Sequence, residues 1–152
     1  RNMIYWKDVP YGNGGSVVAI ARDKSGKEVA RHRIETAGKA VALRIEAETP
    51  TDWKADGMDL QYINVTVIDK KGRPVWDYNE PLTLQMEGAA RLVALDNGDH
   101  YTDELFHGIT SKRMYQGRMQ IILRSDQEAG NVTVKISSAG LKGTLRLKTI
   151  KE

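Results

Sequence analysis

The sequence predicts an all-β protein: an immunoglobulin-like antiparallel β-sandwich preceded by a partial immunoglobulin-like β-meander. Three observations predict it. Period-two alternation of apolar and polar residues recurs along the chain. Turn formers with a Gly follow the apolar runs. No window of useful length keeps apolar residues at i, i+3, i+4 and i+7, as an amphipathic helix requires.

In chain order, residues 1–36 supply three expected strands, around Tyr5-Trp6, Ser16 to Arg22 and Glu28 to Ile34, with Gly12-Asn13-Gly14-Gly15 read as a hairpin loop. Asp23-Lys24-Ser25-Gly26 marks a reversal between the second and third. The small and polar run Thr36-Ala37-Gly38-Lys39 then separates two strand groups, so the expected domains are 1–38, the C-terminal half of an upstream immunoglobulin-like domain, and 39–152, a complete sandwich. Beyond that boundary Val41, Leu43, Ile45 and Ala47 alternate with Ala42, Arg44, Glu46 and Glu48, and Ile63, Val65 and Val67 alternate with Asn64, Thr66 and Ile68. Asp69-Lys70-Lys71-Gly72 marks a reversal. Leu82, Leu84 and Met86, then Met119, Ile121 and Leu123, then Val132, Val134 and Ile136, and finally Leu145 and Leu147 complete the series. Short strands joined by tight turns pair antiparallel, and two sheets face to face bury their apolar sides. A three-stranded meander has no second sheet to cover Trp6, Val9, Val18, Ile20 and Ile34, so it either packs on the 41–152 sandwich or pairs with a second copy, and self-association through residues 1–36 at raised concentration is the expectation.

Composition excludes several function classes. The 152 residues suffice for one ordinary domain, or one domain and part of another. At 40% hydrophobic and 28% charged residues, with a mean hydropathy of -0.50, the chain is rich enough in apolar residues to fold. Its longest apolar run, Val17 to Ala21, is far short of the ~20 residues that cross a bilayer, so no membrane partner is expected. The absence of Cys removes thiolate nucleophiles, Cys-based zinc sites and disulfides together. A start at Arg1, with no initiator Met and no signal peptide, reads as a segment of something longer. The net charge of +3 is not gathered into a stripe: residues 1–40 hold eight Lys/Arg against four acids, 41–140 eleven against fifteen and 141–152 four against one. With no aromatic residues interleaved among the basic ones, nucleic acid is not an expected partner.

Little chemistry is written into the residues. His32, His100 and His107 have no nucleophile elbow such as G-x-S-x-G to serve, and no phosphate-cradling glycine loop opens a helix. The densest polar cluster runs from Asp96-Asn97-Gly98-Asp99 through Tyr101 to Glu104, four acids without a Lys or Arg. Oxygen-rich loops of this kind can hold Ca²⁺, but Gly comes third and breaks the calcium-loop pattern, so the reading here is a hydrated Asx-turn loop with no metal and no cofactor. Asp96, Asn97, Asp99 and Tyr101 are nevertheless the candidates for a contact to ligand or partner domain. Sugar rings stack on exposed aromatics, and Trp76 and Tyr78, two apart and on one face if extended, join that candidate set, while Trp53 and Tyr115 lie near turn-rich stretches. The acids fall in turns and on outward strand positions, away from the paired geometry glycoside cleavage needs, so no catalytic residue is expected.

Residues 47–141 resemble the C-terminal immunoglobulin-like domain of bacterial glycoside hydrolase family 2 enzymes, mostly β-galactosidases, and more distantly the immunoglobulin-like repeats of invasin. The matching stretches are Lys54-Ala-Asp-Gly-Met-Asp-Leu60, Val65-Thr-Val-Ile-Asp-Lys-Lys-Gly-Arg-Pro-Val75, Gly88, Asp96-Asn-Gly-Asp99 and Gly130-Asn-Val-Thr-Val134. Upstream, Tyr5-Trp-Lys-Asp-Val-Pro-Tyr11, Val29-Ala-Arg31 and Thr36-Ala-Gly38 resemble the second half of the preceding domain in the same enzymes. In that family the catalytic carboxylates belong to a central TIM barrel. The resemblance therefore implies a non-catalytic accessory module, partnered by the barrel and other domains of its parent, in the periplasm or outside the cell. A carbohydrate-binding module that uses Trp and Tyr platforms is the alternative. Trp76-Asp77-Tyr78 departs from the family, where a Pro- and Asn-rich turn is commoner.

Overall fold

The structure, a computed structural model, describes residues 3–10 and 14–151, and the chain divides into two compact units, 1–37 and 38–152. The first unit contains β1 (Ser16–Arg22) and β2 (Glu28–Glu35), an antiparallel hairpin. Its reversal is fastened by the Asp23 carboxylate, which accepts the amides of Ser25 at 2.8 Å and Lys27 at 3.0 Å. Residues 3–10 form no strand. An extended segment becomes a strand only against a partner, and here Asp8 turns into the left-handed region at φ 56° while Pro10 has no amide to donate. The expected loop at 12–15 lies with Gly12 and Asn13 outside the described residues.

The hairpin register also redistributes the apolar residues. Val17 opposes Ile34, Ala19 opposes His32 and Ala21 opposes Ala30, so these six share one face. Val18 and Ile20, expected to share a face with Ile34, instead oppose Arg33 and Arg31 on the other side. A shift of one residue exchanges faces, and alternation alone does not say which partner each residue meets.

The second unit is a β-sandwich of two four-stranded antiparallel sheets. One sheet runs in the order β3 (Ala40–Ala47), β4 (Leu60–Asp69), β8 (Arg118–Ser125), β6 (Ala90–Asp96). The other runs β10 (Leu141–Lys148), β9 (Asn131–Ser138), β5 (Pro81–Gly88), β7 (Ser111–Arg113). Ile63, Val65, Val67, Met119, Ile121 and Leu123 line the inner face of the first, and Leu82, Leu84, Val132, Val134 and Ile136 that of the second. Val41 departs from its expected inward place: a bulge between Ala40 and Ala42 skips it in the ladder with β4 and turns it outward, while Leu43, Ile45 and Ala47 keep the inward face.

Trp53 is the largest fully buried side chain, and its indole Nε1 donates to the Asp59 carbonyl at 3.1 Å. Truncating such a residue typically costs about 3–5 kcal/mol. Sequence reading grouped it with exposed aromatics; its loop is instead sewn into the sandwich, since Ile150 donates to the Trp53 carbonyl and Ala55 to the Ile150 carbonyl. Gly88, at φ 112°, has no alternative: a Cβ there would lie 1.9 Å from the Asn131 carbonyl oxygen.

Asp69 closes β4. Its buried carboxylate accepts the amides of Gly38 at 2.8 Å, Lys71 at 2.8 Å and Arg73 at 2.9 Å, together with the Arg73 Nε at 2.8 Å. The Arg73 guanidinium and then these amides hold the Asp69 carboxyl well below the usual carboxylate range. A depressed folded pKa gives stability that is complete above the unfolded value and lost as pH falls toward the folded one. The melting temperature of the second unit should therefore stay flat at neutral pH and decline below about pH 4, and Asp69→Asn should lower it at pH 7 while flattening that decline. Thermal melts across pH check this; an Asp69→Asn profile parallel to the parent's contradicts it.

Candidate functional site

The loop from Asp96 to Thr110, joining β6 to β7, is a chain of side-chain-to-backbone turns. Asp96 Oδ1 accepts the Gly98 amide at 2.8 Å, Asn97 Oδ1 the Asp99 amide at 3.1 Å and Asp99 Oδ1 the Tyr101 amide at 3.0 Å. Each short polar side chain thus serves the backbone two residues on. Asn97 is buried and its Nδ2 donates to the Arg113 carbonyl at 3.0 Å, tying the loop to β7. Tyr101, at 96% exposure, projects alone. Among the described residues no three His, Asp or Glu converge as metal ligands.

The loop is also held from below by a residue that sequence reading missed. Lys112, on the three-residue β7, is 1% exposed, and its Nζ donates to the carbonyls of Glu104 at 3.0 Å and Leu105 at 3.1 Å while lying 4.1 Å from the Phe106 ring centre. Two carbonyls and an aromatic face satisfy a buried ammonium. No pattern in Ser111-Lys112-Arg113 announces this, because β7 is too short for alternation to register.

The aromatic candidates separate. Trp76 and Asp77 form a turn, so the extended geometry that would put Trp76 and Tyr78 on one face is absent. Trp76 remains half exposed with the Arg118 guanidinium 4.4 Å above its ring, and the Tyr78 hydroxyl bonds Ser138 Oγ at 2.8 Å. Asp96 and Asn97 do come together with other groups, in an open groove of about 450 Å³ that also includes Asn64, Thr66, Arg118 and Gln120. Asn64 and Thr66 alternate with the buried Val65, and Gln120 and Arg118 with the buried Met119, which places the groove on the outward face of the β3-β4-β8-β6 sheet. Strand register aligns Asn64, Gln120 and Asp96 in one row across β4, β8 and β6. Outward amides at Asn64 and Gln120, each flanked by inward apolar residues, were a signal available in the sequence.

Residues 43–145 match the sequence profile of the glycoside hydrolase family 2 C-terminal domain 5. The chain belongs to that family. The chain is 32% identical over 128 residues to the β-galactosidase BoGH2A of Bacteroides ovatus, a match covering 84% of this chain and 15% of that protein. It is 30% identical over 132 residues to a β-galactosidase of Thermoanaerobacter pseudethanolicus, covering 84% and 17%. A crystal structure of a glycosyl hydrolase family 2 member from Bacteroides cellulosilyticus superposes with a TM-score of 0.84 at 28% identity, covering 94% of this chain and 18% of that one. The chain thus spans less than a fifth of the length of each.

Residues that carry the family resemblance in this family 2 domain act on its own backbone. Asp56 accepts the amides of Met58 and Asp59, both at 2.7 Å, which lower its pKa; Asp59 accepts the Lys54 amide at 2.8 Å; the Gly130 amide donates to the buried Thr149 hydroxyl at 3.0 Å. Lys112→Met should cost about 1.5–3 kcal/mol, as loss of a hydrogen bond from a charged group does, and should make residues 99–109 the first site cut by protease. Unchanged cleavage within that loop contradicts the role given to Lys112.

Proposed function

We propose that the chain is a non-catalytic accessory module of a β-galactosidase-type family 2 glycoside hydrolase, with 39–152 as a complete immunoglobulin-like domain and 1–38 as the C-terminal half of the one before it. Acting in the periplasm or outside the cell, the module packs on, or orients, the catalytic barrel and the other domains of its parent. The observation that carries this reading is the use made of the carboxylates. Asp56, Asp59, Asp69, Asp96 and Asp99 each accept their own unit's backbone amides. Asp56 and Asp69 are moreover held below the ordinary carboxylate range, opposite to what a proton donor needs. The share of the relatives that the chain spans, 15–18%, leaves ample length for a separate catalytic domain.

The hairpin supports the same reading of residues 1–38. Its face of Val17, Ala19, Ala21, Ala30 and Ile34 is apolar apart from His32, and Val17 and Ile34 are 53% and 64% exposed. A preceding stretch of the parent chain supplies the second sheet that such a face requires.

The purified chain should release no chromophore from aryl β-galactosides. Turnover that survives repurification and scales with the amount of this chain contradicts the accessory role.

A further inference from the structure

We propose that the groove on the outward face of the β3-β4-β8-β6 sheet is a binding site for a neutral saccharide. At about 450 Å³ it falls within the usual range for small-ligand sites, about 300–1,000 Å³. Its polar groups are already ordered by one another. Gln120 Nε2 donates to Asn64 Oδ1 at 3.1 Å, and Asn64 Nδ2 donates to Glu48 Oε1 at 3.1 Å. That relay fixes both amides without exhausting them: each NH₂ keeps a second hydrogen and Gln120 keeps its carbonyl. Asp96 spends Oδ1 on the Gly98 amide, and Oδ2 has no protein partner among the described residues. The Thr66 hydroxyl is likewise uncommitted among them.

A row of fixed amides beside one free carboxylate oxygen offers donors and acceptors in alternation, which suits vicinal hydroxyls, since each hydroxyl both gives and takes a hydrogen bond. Charge narrows the ligand class. The groove carries one acid, Asp96, and one base, Arg118, and this balance selects neither an anion nor a cation. Arg118 has no ion pair among the described residues; its guanidinium lies over Trp76, a contact with the ring face that leaves its N–H groups free to donate. The floor is strand backbone at Val65 and Met119, whose side chains are in the core, so the site rests on a rigid sheet rather than on the loop. A hydrocarbon ligand would strand these polar groups, and a peptide would seek a sheet edge more readily than a face.

This assignment goes beyond the accessory role and does not depend on it, since a module can orient a catalytic domain whether or not its outer face holds sugar. The test is a two-dimensional amide NMR titration of the full chain with galactobiose, cellobiose and xylobiose at millimolar concentrations. At least one disaccharide should give saturable shifts centred on residues 64–66, 96–98 and 118–120. Asn64→Ala and Gln120→Ala should each weaken that binding about 2- to 10-fold, the loss of one net hydrogen bond, with core methyl resonances unchanged as the check on folding. Trp76→Ala, which removes the support for Arg118 without touching the amide row, should weaken it as well. No shift with any of the three, shifts centred elsewhere, or binding indifferent to all three substitutions overturns the proposal.

Discussion

A β-sheet with an apolar face must have that face covered, and the organisation of this chain follows from where the covering is met. Within 38–152 two four-stranded sheets cover one another, with Ile63, Val65, Ile121 and Leu123 on one side and Leu82, Val132 and Val134 on the other, each fully or almost fully buried. Covering one such side chain is worth about 1.5–3 kcal/mol, so the sum is ample to hold a domain against the entropy of ordering it. Trp53 fills the space that the strands leave near the chain's C-terminal stretch, and its loop pairs with Ile150 rather than standing free. Within 1–37 the hairpin has the face, and the described residues form no second sheet.

Once the sheets face each other, a few polar groups decide where strands end and chain reverses. Asp69 holds Gly38 and the turn through Arg73 to the end of β4. Gly88 admits the Asn131 carbonyl where no side chain fits. Thr149 ties Gly130, and Lys112 ties the long loop between β6 and β7. The family 2 glycoside hydrolases that this chain matches are themselves more than five times as long.

Much of this was legible because strands with one buried side write a period of two into the sequence. The alternations at 63–67, 82–86, 119–123 and 132–136 all mark inward faces. What alternation missed has specific causes. Bulges at Val41 and between Leu92 and Ala94 break the period, hiding one outward valine and the whole of β6. β7 is three residues long and buries a lysine. Sorting Val18 and Ile20 from Val17 and Ile34 required the hairpin register, which turn residues alone do not fix across a bulged pair. At the candidate site, Asp96 and Asn97 were found because acids and Asn cluster in the sequence; Asn64 and Gln120 were not, because they meet only when β4 and β8 pair.

The central claim is that 38–152 closes its own core while the hairpin of 1–37 has no second sheet within its own described residues. Sedimentation velocity of the full chain and of a version starting at Gly38, over a wide range of concentration, tests it most directly. The full chain should self-associate as concentration rises and the shorter version should remain monomeric with its cooperative melt intact. Two monomers throughout, or equal association of both, would contradict it.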